Sequence, residues 1–241
     1  MDGDEHWLEV PGAATFRYLP GSDEIVAMPD PAASEDAVED AYLSIALPLA
    51  FQLSGLEALH ASAARLPVGV VAFCALSGTG KTTVACALAA RGHGLWADDA
   101  VIFDSEAPDA VVTNRIPFLA NVRPETREAL GVSSAEVSEP ASTGDSAPLA
   151  AVVLLERDVT TTDPTEVLRL SPTDALPALE PHAHRFNLGD FERKRRTMQA
   201  YLRLTARVPV LRARFAPGFD RLPALLDDLE KAIGEELREA R

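Results

Sequence analysis

The chain has 241 residues, 47% of them hydrophobic, and a formal net charge of −15 at neutral pH. That length can bury a full core, the hydrophobic content excludes wholesale disorder, and the acidic balance excludes a general nucleic-acid binder. The longest apolar run, AYLSIALPLAF, is broken by Pro48 and falls short of the ~20 residues a membrane-spanning helix needs. The start, MDGDEHW, lacks the basic-then-apolar pattern of a secretory signal. The two cysteines, Cys74 and Cys86, lie among apolar residues, as reduced buried thiols do. A cytoplasmic protein without membrane or nucleic-acid partners is the expectation.

In chain order, residues 1–30 hold short extended patterns, TFRYL and EIVAM, separated by Pro-Gly and Pro-Asp turn signals, so hairpin structure is predicted. Residues 35–59 read as one amphipathic helix, capped by Ser34, with Val38, Tyr42, Ile45, Leu49 and Leu53 on one face and a bend at Pro48. Val68–Cys74 is a buried strand. Lys81–Arg91 is an Ala-rich helix, with Gly92 where a terminating glycine belongs. Leu95–Ala97 and Val101–Phe103 are strands separated by Asp98-Asp99. Arg115–Val122 is extended and Pro124–Leu130 a short helix.

Residues 131–148, rich in Ser, Gly and Pro, read as a mobile loop. The run AVVLLER is a buried strand, followed by a strand at Val167–Leu170 and a helix at about 173–180. A basic helix over 190–207, a strand at Val208–Phe215 and a closing amphipathic helix complete the chain. Residues 181–221 carry ten Lys/Arg against three Asp/Glu. Arg193, Lys194, Arg195 and Arg196 on the basic helix are candidates to receive an acidic peptide or a terminal carboxylate, with a solvated helix face as the alternative.

The segment Ser77-Gly78-Thr79-Gly80-Lys81-Thr82 follows a strand and opens a helix. That is the context in which glycines turn backbone N–H groups toward phosphate oxygens and the helix start adds partial positive charge. Lys81 would neutralise the β- and γ-phosphates, and the Thr82 hydroxyl would sit on Mg²⁺. The first position of the full G-x-x-x-x-G-K-[ST] pattern is Ala75 rather than Gly. Asp98 and Asp99 stand 17 and 18 residues beyond Lys81, at the end of the next strand. The carboxyl ends of both strands would reach one sheet edge, where one carboxylate could hold Mg²⁺ and the other accept a proton from an attacking hydroxyl. The alternative for the pair is a turn or a helix cap. His60 alone reads as a structural histidine.

At these residues the chain resembles the catalytic domain of HPr kinase/phosphorylase. His60, the loop Ser77–Thr82 and the run Arg91-Gly92-His93-Gly94-Leu95-Trp96-Ala97-Asp98-Asp99 match that family's motifs in order and spacing. The departures are Ala61 for Gly, Ala75, and Thr83 where Glu is usual. The resemblance implies an α/β fold related to phosphoenolpyruvate carboxykinase, a phosphate-loop fold with a mixed β-sheet flanked by helices. It implies one catalytic domain over 1–241, in which 1–59 packs on a core of 60–241. It further implies ATP–Mg²⁺ phosphorylation of a serine, with Asp98 as proton acceptor, Lys81 and His60 at the phosphates, Asp99 and Thr82 at the metal, and Ser77–Thr83 around the nucleotide.

A second resemblance is to stand-alone kinases of lasso-peptide precursors, through LPLAFQLSGLEALHASA and RVPVLRARFAPGFDRLPALLDDLEKAI. It implies a peptide or small-protein acceptor, in particular a precursor's C-terminal serine. A small-molecule kinase and a non-catalytic nucleotide-binding regulator are the alternatives, and a homo-oligomer is left open.

Overall fold

Residues 5–19, 24–132, 146–161, 163–184 and 191–239 are described by a computed structural model. The chain divides into two units, residues 1–56 and 57–241. In the first, β1 (His6–Val10), β2 (Ala14–Tyr18) and β3 (Ile25–Pro29) form an antiparallel meander in chain order, as the turn signals predict. Phe16 and Tyr18 alternate inward with Ala14, so one face of the meander is apolar.

Helix α1 (Glu35–Ala41) starts at Ser34, whose hydroxyl accepts the Ala37 N–H at 3.2 Å. A wide π-type turn (Tyr42–Ala46) leads into α2 (Leu47–Leu53). Pro48 has no N–H and its ring crowds the carbonyl four residues back, so the widened turn replaces the expected bend. The helix also ends six residues short of the predicted 59. Gly55, at φ +100°, turns the chain out, and β4 (Glu57–Leu59) takes its place.

The second unit is built on a sheet of nine strands among the described residues. After β4 come β5 (Ser62–Leu66), β6 (Gly69–Cys74), β7 (Gly94–Ala97), β8 (Val101–Asp104), β9 (Val112–Asn114), β10 (Ser146–Arg157), β11 (Glu166–Arg169) and β12 (Val210–Phe215). The order is β4-β8-β9-β10-β6-β5-β7, with β12 beside β10 and β11 beyond it. β10 pairs parallel with β6 and β12 and antiparallel with β9, so the sheet is mixed. Part of the predicted loop at 131–148 is therefore strand: Ser146–Pro148 pair with β9, while 133–145 lie outside the described residues.

Alternation along β10 builds a core on each face. Val152 and Leu154 point toward Ala175 and Leu179 of α5 (Pro172–Leu179) and Ala200, Tyr201 and Leu204 of α6 (Phe191–Arg207). Ala151, Val153 and Leu155 point toward Val84 and Leu88 of α3 (Lys81–Ala90) and Leu225, Leu226, Leu229 and Ile233 of α7 (Leu222–Glu239). Each large buried side chain contributes roughly 1.5–3 kcal/mol, so this alternation fixes both the register and the two helix layers. The mixed α/β class read from the sequence is thus the observed one.

The basic helix corrects one expectation. Arg193 turns inward and pairs with Glu57 at 2.9 Å, where Thr197 also donates to the same carboxylate. Lys194, Arg195 and Arg196 remain on the solvent side, with Arg195 paired to Glu192 at 2.7 Å.

Gly69 opens β6 at φ +129°, and a Cβ there would lie 2.7 Å from the Pro148 carbonyl oxygen. Gly69→Ala is expected to lower the unfolding free energy by about 1–3 kcal/mol, read as a lower urea midpoint at unchanged slope. A wild-type midpoint would show that the start of β6 can relax.

Candidate active site

Strand β6 delivers the chain at Cys74 to the loop 75–80, and α3 begins at Lys81. Gly78 and Gly80 have φ values of +79° and +119°, a region that side chains oppose, which explains glycine at both positions. The first intrahelical bond of α3 runs from Val84 N–H to the Gly80 carbonyl at 2.9 Å. Helix geometry leaves the N–H groups before it without intrahelical acceptors, and they open toward an anion. At its other end α3 stops in a Schellman arrangement. Gly92 N–H donates to Ala89 and His93 N–H to Leu88, at 2.9 and 3.2 Å.

The loop forms one end of a cleft of about 610 Å³. His60, Ser77, Gly78, Thr79, Gly80, Lys81, Thr82, Thr83 and Asp99 all line it. Asn121, Arg123, Thr126, Phe215–Phe219, Arg221 and Leu225 complete the lining. The structure thus brings His60, the loop and the aspartate pair together, with Asp98 buried behind Thr82 at 4% exposed, while Arg193, Lys194, Arg195 and Arg196 of the basic helix do not line the cleft.

The two aspartates differ sharply in environment. The Asp98 carboxylate accepts from Ser62 Oγ at 2.5 Å and Thr82 Oγ1 at 2.9 Å on one oxygen, and from the Asn121 N–H at 3.0 Å on the other. Burial raises its pKa above the usual carboxylate range, and the neighbouring Asp99 charge adds to this against the three hydrogen bonds. Asp99 instead lines the cleft, and among the described residues its carboxylate accepts no hydrogen bond. Asp99 is also the one non-glycine residue with positive φ, +62°, among those described. Such strain persists where surrounding structure over-determines it.

Two histidines hold it there. His60 Nδ1 and His184 Nε2 lie 3.1 and 3.0 Å from the Asp99 carbonyl oxygen. A carbonyl only accepts, so both nitrogens carry protons. The other ring nitrogen of His60, Nε2, faces Lys81 Nζ at 3.3 Å. The ammonium also donates to the Ala75 carbonyl at 3.2 Å. His182 and His184 are both pushed below the ordinary histidine value, first by burial; the Lys81 charge adds to this at His182, and the bond to the Asp99 carbonyl opposes it at His184. Cys74 and Cys86 are free and buried, and burial raises each thiol to about 12, so neither is a nucleophile.

Ser62, Asn121 and His184 were not anticipated from the sequence. Ser62 opens β5 two residues after His60, across the bend that follows β4. His184 lies 85 residues from Asp99, with nothing local to mark it. Conversely, Arg91 and His93 of the matched run serve the fold. Arg91 reaches Asp227 and Glu230 of α7 at 2.7 and 2.8 Å, and His93 reaches Glu230 at 2.7 Å.

A nucleotide with Mg²⁺ fits these residues. A Cβ on Gly80 would meet nothing within 4 Å, so the loop crown opens into free space. Among the described residues no group of three His, Cys, Asp or Glu could encage a metal. Mg²⁺ takes few protein ligands and is completed by phosphates and water, and the Thr82–Asp98 pair supplies such a partial set.

Fold and site together define a mixed α/β unit with a phosphate-loop cleft. No protein-family model matches the chain, and no curated protein does. Among solved structures, the HPr(Ser) kinase/phosphatase from Coxiella burnetii matches at 14% identity over 75% of this chain and 98% of that one, with a TM-score of 0.40. No helix among the described residues is long and apolar enough to cross a membrane.

Proposed function

We propose that the chain is an ATP- and Mg²⁺-dependent kinase that phosphorylates a serine hydroxyl of a peptide or small protein, with the C-terminal serine of a lasso-peptide precursor as the leading acceptor. The observation that carries the kinase reading is the contrast within Asp98-Asp99. One carboxylate is bonded to the hydroxyl of the loop threonine at 2.9 Å, and its neighbour faces the cleft. A purely nucleotide-binding site has no use for the second.

In the transfer step the acceptor oxygen attacks the γ-phosphorus, the bond to the β-phosphate oxygen breaks, and ADP leaves. The acceptor proton passes to a carboxylate of this chain. Geometry favours exchanging the roles that the family resemblance implies, with Asp99 as proton acceptor and Asp98 beside the metal. Asp99 lines the open cleft, whereas Asp98 is enclosed by Ser62, Thr82 and the Asn121 N–H. His60 and His184 position Asp99 through its carbonyl, and Lys81 with the loop N–H groups holds the phosphates. When bound, Mg²⁺ supplies charge neutralisation at the phosphoryl oxygens.

The test is incubation with γ-labelled ATP and Mg²⁺ against peptides ending in serine, the same peptides ending in alanine, and a panel of small alcohols. Label on the serine peptides alone supports the proposal. Label on a small alcohol instead would make this a small-molecule kinase. Tight nucleotide binding without transfer to any acceptor would indicate a regulator.

A further inference from the structure

The cleft holds an arginine for which neither the fold nor the loop chemistry accounts. Arg123 precedes α4 (Pro124–Leu130), and its backbone is fixed on both sides. Two residues before it, Asn121 N–H is bonded to Asp98 at 3.0 Å, and Val122 is buried against Cys86 of α3. After it, the N–H groups of Thr126 and Arg127 both donate to the Arg123 carbonyl at 3.0 Å, and the Thr126 hydroxyl meets that of Thr83 at 3.1 Å. The segment is thus pinned to Asp98 at one end and to the first turn of α3 at the other.

From this support the side chain reaches over the phosphate loop. A Cβ built on Gly78 would lie 3.8 Å from Arg123 Nη2. The guanidinium makes no hydrogen bond or ion pair with any described residue, although Glu125, two residues on, also lines the cleft. A rigidly based cation left unpaired beside a loop that collects phosphate oxygens is complementary to charge that arrives with the ligand.

We infer that Arg123 is an arginine finger supplied in cis, contacting the transferred γ-phosphoryl group from the side opposite Lys81. This assignment rests on the nucleotide reading of the cleft. Lys81 is drawn back onto the Ala75 carbonyl and His60, so the two cations approach the phosphates from different walls. The planar fork of arginine suits the equatorial oxygens of a phosphoryl group, which a lysine at this position would contact as a point charge.

The test compares equilibrium binding of ATP and ADP, each with Mg²⁺, to the wild type, Arg123→Ala and Arg123→Lys, with release of labelled phosphate from γ-labelled ATP as a second readout. In Arg123→Ala, ATP affinity is expected to fall about tenfold or more while ADP affinity stays within about twofold, the signature of a lost charge-assisted contact to the γ-phosphate alone. Turnover is expected to fall by about 10³-fold, with Arg123→Lys in between. Equal losses for ATP and ADP, with a lowered unfolding midpoint, would mean that Arg123 merely supports the loop and would overturn the assignment. Unchanged ATP preference and turnover would overturn it as well. A wild type that binds neither nucleotide would overturn the nucleotide reading itself, and this inference with it.

Discussion

Asp99→Asn is expected to slow phosphoryl transfer by about 10²–10⁴-fold while leaving nucleotide affinity within a few-fold, because a general base acts on the acceptor proton and not on the donor. Asn keeps the size, and its backbone can keep the +62° φ that His60 and His184 hold, so the loss isolates the proton acceptor. Asp98→Asn should behave differently. It removes one charge from the Thr82 pair, so the gain in ATP affinity that Mg²⁺ provides should largely disappear. Stability separates the two further. Asp98 is held above its unfolded value by burial, so its favourable contribution is complete below the ordinary carboxylate range, near pH ~3.9, and is lost as pH rises through the folded value. In the absence of ligand, Asp98→Asn should therefore gain on the wild type as pH climbs above the ordinary carboxylate range. Measuring single-turnover transfer, Mg²⁺-dependent ATP binding and urea midpoints for both variants decides the roles. If Asp99→Asn transferred at the wild-type rate and Asp98→Asn did not, the assignment implied by the family resemblance would stand instead.

What could be read from the chain alone follows how local each signal is. Gly78 and Gly80 mark the phosphate loop because only their positive φ permits it, and Gly92 marks the end of α3 for the same reason. The aspartate pair directly ends β7, so its place at the sheet edge follows from the strand. The strands β4 and β5 were not visible, because EAL and SAARL are rich in residues of low β propensity and are held by pairing with β8, β6 and β7. The helix predicted over 35–59 is helical only as far as Leu53, because apolar spacing carries no account of the turn at Gly55. Arg193 looked like part of a basic surface, since its partner Glu57 is 136 positions away and neither residue signals a buried pair. His184 follows the 3-10 turn Glu180–His182 and Asn121 lies in the segment before α4, and their contribution through a carbonyl or an N–H is invisible to any motif.

Lys81→Ala is expected to weaken ATP binding by about 10³-fold, since a cation within about 4 Å of a phosphate charge is worth about 4 kcal/mol at the effective dielectric of a partly exposed site. The side chain is 8% exposed yet borders the cleft, so its removal leaves the Ala75 carbonyl and His60 Nε2 within reach of water. The fold should therefore survive, with an unfolding free energy within about 1 kcal/mol of wild type. Lys81→Arg is not expected to rescue binding, because a bulky planar fork cannot replace a compact ammonium threaded between the Ala75 carbonyl and His60. Pyrophosphate should show the same dependence as ATP, because the interaction is with phosphate charge and not with the base. Titration of both ligands against the three proteins, alongside thermal melts, tests this. ATP affinity within twofold of wild type in a well-folded Lys81→Ala would remove the phosphate loop from the mechanism, and with it the reason for two carboxylates at the end of β7.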